Sequence, residues 1–409
     1  MIHGLSTVVG VDVGSAKTVA VVAESRVARE PGDPLTVLGV GTSPARGMTG
    51  SGITNIEAAT RSVREALQQA EMMAGREADG AYLSVPGPYV RTTRSRGVVA
   101  VSGAEITSAH VKRVQEVGQA VPVAPDRQLI HALCQEYCVD GRGGIQDPTG
   151  MVATRLEADV CIVTADSAVC RDLGKVLDRA GYRLNEFVMS PLASGLALLR
   201  DAEREAGVAL VEIGGASTDV LVYQRRRLLH AATLPWGGAT VTRDIARGLG
   251  VSEDEAARLK EEFGSARRRA VDPKEQLDVS GPSVGGGRRV SRELLAHIIE
   301  QRLDEILGLV YEELEEAGVL DQLGAGVVLA GGGVCLPETE DLARSVFNLP
   351  VRIGVPAVGL TGADRAVASP AFATGVGLAL YGSLQQQNGG LAGATRAITR
   401  VGAWLRDFF

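Results

Sequence analysis

The sequence of 409 residues has no excess of positive charge, because 42 Lys and Arg residues stand against 49 Asp and Glu residues and leave a net charge of −7. Binding to a nucleic-acid backbone requires basic side chains that neutralise its phosphates. The composition therefore predicts no nucleic-acid partner, and any anion must be held by a local group of residues.

Cysteines are few, and they occur at positions 134, 138, 161, 170 and 335 with no CxxC pair and no histidine at metal-ligand spacing. This spacing gives no sign of a disulfide framework or a structural zinc site. The first residues, MIHGLSTVVGVDVG, lack the basic start of a signal peptide. We therefore expect five reduced thiols and a cytoplasmic protein.

Long apolar runs are also missing, since no stretch reaches the roughly 18 uninterrupted apolar residues that a membrane-spanning helix needs. The composition, 45% hydrophobic and 22% charged, is nevertheless that of a globular protein with enough apolar surface to form a core. A chain of this length predicts two to four folding units.

The stretch Leu210 to Tyr223, LVEIGGASTDVLVY, consists of two apolar runs joined by a Gly-Gly turn and predicts a β-hairpin. Without side chains, Gly214 and Gly215 allow backbone N–H groups to face an anion. The tip also offers the hydroxyls of Ser217 and Thr218 and the carboxylates of Glu212 and Asp219. Taken singly, such a hairpin more often uses glycine for turn geometry alone.

A second copy lies 200 positions earlier, in Val8 to Val22, VVGVDVGSAKTVAVV. The matching pairs are Asp12 and Glu212, Gly14 and Gly214, Ala16 and Ala216, Thr18 and Thr218, and Val22 and Val222. Two phosphate-type hairpins that open two halves of one chain are what a nucleotide clamped between duplicated α/β domains requires.

A third glycine turn follows an apolar strand in Val327 to Val334, VVLAGGGV. Gly331, Gly332 and Gly333 would allow a flat ligand such as adenosine to approach the backbone closely. The alternative is a plain strand-to-helix turn.

The remaining periodicities predict the other elements. They are a strand over 35–40, a helix capped by Asn55 that runs to Met73, a strand over 81–85, a small α+β insert over 87–159, helices over 167–180, 192–206, 292–317 and 371–381, a polar surface loop over 265–290, and a flexible linker over 385–393.

The last residues, Thr395 to Phe409, TRAITRVGAWLRDFF, predict an amphipathic helix. At 100° per residue, the apolar side contains Ile398, Val401, Trp404, Leu405, Phe408 and Phe409, and the polar side carries three arginines against one aspartate. This pattern favours a helix that lies in an anionic membrane surface. The alternative is docking onto the protein itself or onto a partner.

Several segments resemble the FtsA family of bacterial cell-division proteins, in the actin and heat-shock chaperone ATPase superfamily. They are GVDVGSAKT, VEIGGASTDV, RGMTGSGITNIEAA, QEYCVDGRGGIQDPTGM, TRDIA and the AGGG turn. The resemblance covers nearly the whole chain. It implies an α/β, actin-like (ribonuclease H-like) fold of duplicated domains, with an inserted α+β subdomain 1C and a C-terminal amphipathic helix.

The resemblance also implies a division of the chain into subdomains. They are 1A over 1–86 and 160–206, 1C over 87–159, 2A over 207–233 and again over 320–384 with a return to 1A, 2B over 234–319, a linker over 385–394 and a membrane-targeting helix over 395–409.

ATP and Mg²⁺ are the cofactors that the resemblance implies. Gly14, Ser15, Ala16 and Lys17 would line the first phosphate loop, and Gly214, Gly215, Ala216 and Ser217 the second. Asp12 would lie near the magnesium ion through water, with Glu212 as a metal-site and catalytic carboxylate. Gly331, Gly332 and Gly333 would face adenosine, and Lys260 would lie over the base or ribose.

Three positions depart from the family pattern. Asp is usual where this chain has Glu212, Gly where it has Ala216, and Glu where it has Ala257. The extra methylene of Glu212 moves its carboxylate by roughly 1.5 Å, at a kind of site where errors of about 1 Å can cost 10²-fold in rate. We therefore expect nucleotide binding with a weak ATPase activity at most.

The resemblance implies a peripheral protein at the division septum, on the cytoplasmic face of the inner membrane. It would self-associate into filaments, bind the C-terminal tail of the tubulin-like FtsZ through 2B, and contact later division proteins through 1C. The alternatives are an actin-like adaptor that has lost hydrolysis, a small-molecule kinase of the same superfamily, for which we find no acceptor motif, and a chaperone ATPase, for which the chain ends too soon.

Overall fold

The computed structural model describes residues 5–26, 34–50, 52–280, 287–356 and 359–387. The helices are α1 Ile56–Ala74, α2 Ser108–Gln119, α3 Ser167–Ala180, α4 Ser190–Leu198, α5 Asp201–Ala206, α6 Gly238–Leu249, α7 Glu253–Phe263, α8 Arg292–Glu316, α9 Thr339–Phe347 and α10 Ala373–Gln387. Within these ranges, no helix combines the length and the apolar character needed to cross a membrane.

The strands alternate with these helices along the chain. They are β1 Leu5–Val13, β2 Lys17–Arg26, β3 Leu35–Pro44, β4 Met48–Thr49, β5 Gly52–Ile53, β6 Gly80–Val85, β7 Val90–Glu105, β8 Arg127–Val139, β9 Arg142–Ile145, β10 Val152–Asp166, β11 Arg183–Met189, β12 Val208–Ile213, β13 Thr218–Gln224, β14 Arg227–Leu234, β15 Gln276–Ser280, β16 Gly287–Ser291, β17 Val327–Ala330, β18 Val351–Ile353 and β19 Leu360–Gly362.

Two sheets form the two halves of the molecule, with the strand orders β11-β6-β1-β2-β3-β19 and β14-β13-β12-β17-β18. Side chains alternate between the faces of each strand. Val19 and Val21 accordingly belong to the core that includes α4 and α10 between the sheets, whereas Ala20 and Val22 belong to the core under α1 and α3. Helices α6 to α9 cover the outer face of the second sheet.

Helices α4 and α10 cross at contact distance between the two sheets. A Cβ atom on Gly377 would lie 1.8 Å from the carbonyl oxygen of Ala193, so only glycine fits there. On the other side of α10, a Cβ atom on Gly10 of β1 would lie 2.6 Å from the carbonyl oxygen of Gly375. These glycines fix the depth at which α10 sits against α4 and the first sheet.

The predicted insert forms its own sheet, ordered β7-β10-β8-β9, with α2 on one face. Its core contains Val99, Val114, Tyr137 and Leu156. Strand β10 is continuous from the insert to the start of α3, so the expected boundary between residues 159 and 160 falls inside a strand. The subdomain boundaries remain a prediction.

The predicted helices agree with the structure where local signals define them. The Asn55 side chain accepts a hydrogen bond from the N–H group of Ala58 at the start of α1, and α3 and α8 also begin where the sequence predicts. The single helix predicted over 192–206 is wrong, because the chain breaks at Leu199 and Arg200 into α4 and α5. Arg352 satisfies the groups at this break, since it donates to the carbonyl oxygen of Leu198 and to both carboxylate oxygens of Glu203.

Two other predictions need correction. The segment over 265–290, predicted as a loop, contains β15 and most of β16, which pair as an antiparallel hairpin. Helix α10 extends to Gln387, so the first residues of the predicted linker are helical. The rest of that linker and the predicted C-terminal helix lie outside the described residues.

Candidate functional site

The two glycine hairpins have the same geometry at their offset of 200 residues. In the first, Asp12 lies opposite Val19, and the N–H of Gly14 donates to the Lys17 carbonyl at 3.1 Å. In the second, Glu212 lies opposite Asp219, and the N–H of Gly214 donates to the Ser217 carbonyl at 2.8 Å. The repeat in the sequence is therefore a repeat in backbone structure.

The tips of the two hairpins meet across the gap between the halves. A Cβ atom on Gly215 would lie 2.7 Å from Ser15 Oγ and 2.9 Å from Ala16 Cβ, and a Cβ atom on Gly50 would lie 3.1 Å from Ala216 Cβ. Glycine is needed at 215 because the opposite loop approaches its backbone closely.

Three carboxylates converge behind these tips, on the faces of the sheets that point toward each other. Ser84 Oγ donates to Asp12 Oδ1 at 2.8 Å, and Thr233 Oγ1 donates to Asp219 Oδ1 at 2.6 Å. Glu212 accepts from two hydroxyls, Ser194 Oγ on α4 and Thr374 Oγ1 on α10, each at 2.8 Å. Each carboxylate is thus held by an element other than its own strand.

Burial and like charge together raise the pKa values of this carboxylate cluster, Asp12, Glu212 and Asp219. Burial, followed by the charges of Asp219 and Asp12, raises the pKa of Glu212 to about 8. The pKa of Asp219 is raised to about 6, mainly by burial, and the pKa of Asp12 is also raised by burial. Such a cluster favours any ligand that brings positive charge.

The cluster is not a direct metal cage. Within the part of the chain that the structure describes, no group of three or more His, Cys, Asp or Glu side chains is arranged to hold a metal ion. The resemblance implies that Asp12 contacts the magnesium ion through water, and this contact stays a prediction.

The cleft around the cluster is walled by two further segments. Met48, Thr49 and Gly50, from the β4–β5 hairpin, lie on one side, and Pro86, Pro88 and Tyr89 lie at the entry to the insert. The Tyr89 hydroxyl donates to the carbonyl oxygen of Gly50 at 2.9 Å and joins the two segments.

The structure brings only part of the predicted site residues to the walls of this cleft. Those that line it are Asp12, Gly14, Ser15, Glu212, Gly214, Gly215, Ala216 and Ser217. Ala16 lies beside Gly215 at the tip contact. The Lys17 ammonium lies 4.4 Å from the centroid of the Phe372 ring, and burial lowers its pKa.

The residues predicted to face adenosine lie next to the second hairpin rather than on the walls of that cleft. Cβ atoms on Gly331 and Gly333 would each lie 2.4 Å from atoms of Ile213, so these glycines allow the turn to pack against β12. A Cβ atom on Gly332 would have no neighbouring atom within 4 Å. Lys260 Nζ donates to Thr242 Oγ1 at 2.8 Å, and burial lowers its pKa. Their contacts with a nucleotide remain a prediction.

Several residues of the site were not predicted. Asp219 lies at the hairpin tip, and its place opposite Glu212 follows from the hairpin pairing, whereas the first copy has Val19 at the equivalent position. The hydroxyl partners are Ser84, Ser194, Thr233 and Thr374, which come from other elements of the fold, and Ser84 and Thr374 are distant in sequence from their carboxylates.

Family models match two parts of the chain. The model described as "Cell division protein FtsA" matches residues 209–377, and the model described as "SHS2 domain inserted in FTSA" matches residues 87–164. The second match coincides with the insert.

Three curated relatives are similar over most of their length, and each is a cell division protein FtsA. The protein from Pseudomonas aeruginosa is 36% identical over 387 residues, 94% of this chain and 91% of the relative. The Escherichia coli K12 protein is 34% identical over 408 residues, covering 98% and 96%. The Bacillus subtilis protein is 35% identical over 373 residues, covering 90% and 82%.

Solved structures of actin-like proteins share the fold. A PilM–PilN type IV pilus biogenesis complex matches with a TM-score of 0.63 at 15% identity, covering 92% of this chain and 98% of that chain. MreB5 of Spiroplasma citri bound to ADP matches with a TM-score of 0.54 at 13% identity, covering 93% and 98%. These matches confirm the expected actin-like fold, while the C-terminal helix lies outside the described residues.

The raised pKa of Glu212 predicts a pH-dependent stability. Between its ordinary value near 4.5 and its folded value of about 8, the folded state holds a proton that the unfolded state has released. The free energy of unfolding should therefore fall as pH rises through this range. Glu212→Gln cannot ionise, so its unfolding temperature should fall less between pH 5 and pH 8 than that of the wild type, as measured by calorimetry.

The control is Glu105→Gln, which removes one carboxylate from an exposed position in the insert. It should leave the pH dependence unchanged. Equal slopes for the wild type and Glu212→Gln would contradict the assignment of this titration to the carboxylate cluster.

Proposed function

The chain belongs to the FtsA family of cell division proteins, and from that premise we propose that it binds Mg²⁺·ATP between its two halves and tethers a ring of FtsZ to the cytoplasmic face of the membrane. The observation that carries the nucleotide part is the meeting of two equivalent glycine loops in front of three buried carboxylates. The tether is supported by the family and by the amphipathic pattern of residues 395–409.

The residues present fit a nucleotide with a divalent cation. The N–H groups at the two tips suit phosphate oxygens, because a glycine backbone can approach an anion without steric hindrance. The carboxylate cluster is negative and buried, so it favours a cation held by phosphates and water. When bound, the cation would offset the phosphate charge. Asp12, Glu212 and Asp219 would orient its water ligands.

Hydrolysis should be slow, which favours a second candidate, an adaptor that binds nucleotide and has lost hydrolysis. Both carboxylate oxygens of Glu212 already accept hydrogen bonds, from Ser194 and Thr374, and the side chain is buried. The longer side chain of glutamate reaches these two helices, so its carboxylate is engaged in holding them rather than directed at an attacking water.

The surface that would receive the FtsZ tail lies in the proposed 2B region. Most of its arginines have carboxylate partners there, such as Arg258 with Glu255 and Arg302 with Asp244. Arg288 has no carboxylate partner among the described residues, and its Nη2 would lie 3.3 Å from a Cβ atom on Gly250, at the end of α6. An unpaired arginine suits the acidic part of a tail peptide.

We also propose that the chain self-associates and contacts later division proteins. The insert projects its own sheet and carries an exposed charged face, with Arg96 paired to Asp159 and Arg155 paired to Glu157. Such a surface suits reversible contacts between proteins more than a permanent apolar interface.

The nucleotide proposal predicts that Gly215→Asp abolishes binding of Mg²⁺·ATP. The new side chain would collide with Ser15 and Ala16 and would place a negative charge beside the phosphates. Isothermal titration calorimetry should show binding to the wild type and none to the variant. Gly143→Asp, at an insert position with no atom within 4 Å of the new Cβ, is the control and should bind normally. Absence of binding by the wild type, or equal binding by Gly215→Asp, would contradict the site.

The partner proposal predicts that Arg288→Glu weakens binding of an FtsZ tail peptide by about tenfold or more, since reversing a charge replaces an attraction by a repulsion. Fluorescence anisotropy with a labelled peptide measures the affinity. Arg289→Glu makes the same change at the neighbouring position on the opposite face of β16, where Arg289 pairs with Asp278, and should change the affinity little. Unchanged binding after deletion of residues 234–319 would rule out the region.

The membrane proposal predicts that Trp404→Glu releases the protein from anionic vesicles, because burial of each large apolar side chain contributes about 1.5–3 kcal/mol. Thr399→Glu adds the same charge on the polar side and should weaken binding less. Vesicle flotation must be done below the concentration at which filaments form, since filaments multiply weak anchors. If the chain truncated after Leu391 still floats like the full-length protein, this role of the tail is wrong.

A further inference from the structure

Strand β14 connects the insert to the carboxylate cluster. It is an edge strand of the second sheet, and its first residues lie against β8 of the insert. Its penultimate residue, Thr233, lies directly opposite Asp219 in the pairing with β13. The two ends of one strand thus contact two different functional parts of the molecule.

At the insert end, two irregular strands face each other. The pairing of β10 with β8 skips Gln135, and the pairing of β13 with β14 skips Leu229, so each position is a β-bulge. A bulge leaves one residue outside the ladder and redirects its side chain. Gln135 Oε1 accepts from the N–H of Leu228 at 2.7 Å, and Arg94 Nη2 donates to the carbonyl oxygens of Leu228 and Leu229 at 2.9 and 3.1 Å.

These contacts are buried or charge-assisted, and therefore hold the strand firmly. Gln135 is 2% exposed, and its amide nitrogen donates to the Leu133 carbonyl, so both ends of its amide are satisfied. An ion pair between Arg227 and Glu136 at 2.6 Å lies beside them. Removal of one partner would leave a buried backbone group of β14 without a hydrogen bond.

At the cleft end, Asp219 is enclosed by Thr233 and by the entry to the insert. A Cβ atom on Gly87 would lie 1.8 Å from Asp219 Oδ1 and 2.4 Å from Thr233 Oγ1. Pro86 and Pro88 flank this glycine and restrict its backbone. The carboxylate can therefore keep its place only while β14 holds Thr233 in position.

We propose that Arg94 and Gln135 of the insert are positioning residues for the nucleotide site, acting along β14 through Thr233 on the carboxylate of Asp219. This inference rests on the proposed binding of Mg²⁺·ATP. The distance along the strand from Leu228 to Thr233 is about 17 Å, at about 3.3 Å per residue. Beyond the bulge at Leu229, the pairing of β14 with β13 is continuous from His230 to Thr233, and this ladder would carry a displacement of Leu228 and Leu229 to Thr233.

The charged groups that face Asp219 are Glu212 on β12 and Asp12 on β1, and β14 and the Pro86–Tyr89 segment present uncharged groups to it. The hydrogen bond from Thr233 lowers the pKa of Asp219 against the effect of burial. Loss of that bond should leave the carboxylate of Asp219 less firmly placed beside the cleft, so the affinity for Mg²⁺·ATP should fall.

The test uses full-length protein with Trp404→Phe, which leaves Trp236 as the single tryptophan. Trp236 is 38% exposed, and its carbonyl oxygen accepts from Thr218 at the second hairpin, so its fluorescence can report nucleotide binding. Thr233→Val should weaken Mg²⁺·ATP binding by about tenfold, whereas Thr233→Ser keeps the hydroxyl and should restore the affinity. Gln135→Met and Arg94→Met should each weaken binding by about threefold, a loss of less than one full hydrogen bond.

A double-mutant cycle tests whether Gln135 affects nucleotide binding through Thr233. If Gln135 acts through Thr233, Gln135→Met should have little further effect in the Thr233→Val background. Arg96→Met is the control, because Arg96 lies on the same strand as Arg94 but pairs within the insert, with Asp159. If Gln135→Met is too unstable for measurement, Arg94→Met is used in the same cycle.

Additive effects of Gln135→Met and Thr233→Val, or an Arg96→Met effect as large as that of Arg94→Met, would overturn the inference and leave the nucleotide site intact. Failure of Thr233→Ser to restore the affinity that Thr233→Val loses would do the same. A wild-type protein that does not respond to Mg²⁺·ATP would instead contradict the proposed function, and the inference with it.

Discussion

The burial of three carboxylates of like charge where the two sheets meet is the constraint on which the rest of the structure depends. Buried charges are unfavourable unless hydrogen bonds or a cation compensate them. Asp12, Glu212 and Asp219 obtain their hydrogen bonds from a strand of the first sheet, from both helices of the middle layer and from the edge strand β14. The hydrogen bonds from α4 and α10 to Glu212 therefore add to the close packing of these two helices.

The parts of this arrangement that depend on neighbouring residues could be predicted from the sequence. Glycine turns and alternating apolar residues define the two hairpins, and the register at Glu212 and Asp219 follows from the turn. The hydroxyl partners could not be predicted, because Ser84 is 72 residues from Asp12 and Thr374 is 162 residues from Glu212. The break between α4 and α5 also involves a distant residue, since Arg352 of β18 donates to the carbonyl oxygen of Leu198 at the end of α4.

In the insert, too, neighbouring residues predict some features, and contacts between distant segments determine others. Its character as a small α+β unit follows from composition and periodicity, and its core is formed by its own residues. It is attached to the second half at the bulges of Gln135 and Leu229, where the side chains of Gln135 and Arg94 satisfy backbone groups of Leu228 and Leu229. No periodicity in either strand alone indicates where a bulge will form.

The long paired strands β7 and β10 have a mechanical consequence. Their pairing is regular from Val90 and Ala165 in the body of the first half to Ala100 and Arg155 in the insert, a length of about 33 Å at about 3.3 Å per residue. The insert is therefore a stiff lever and not a tethered module. A force applied by neighbours in an assembly would reach the base of this lever as torque at α3, which begins where β10 ends.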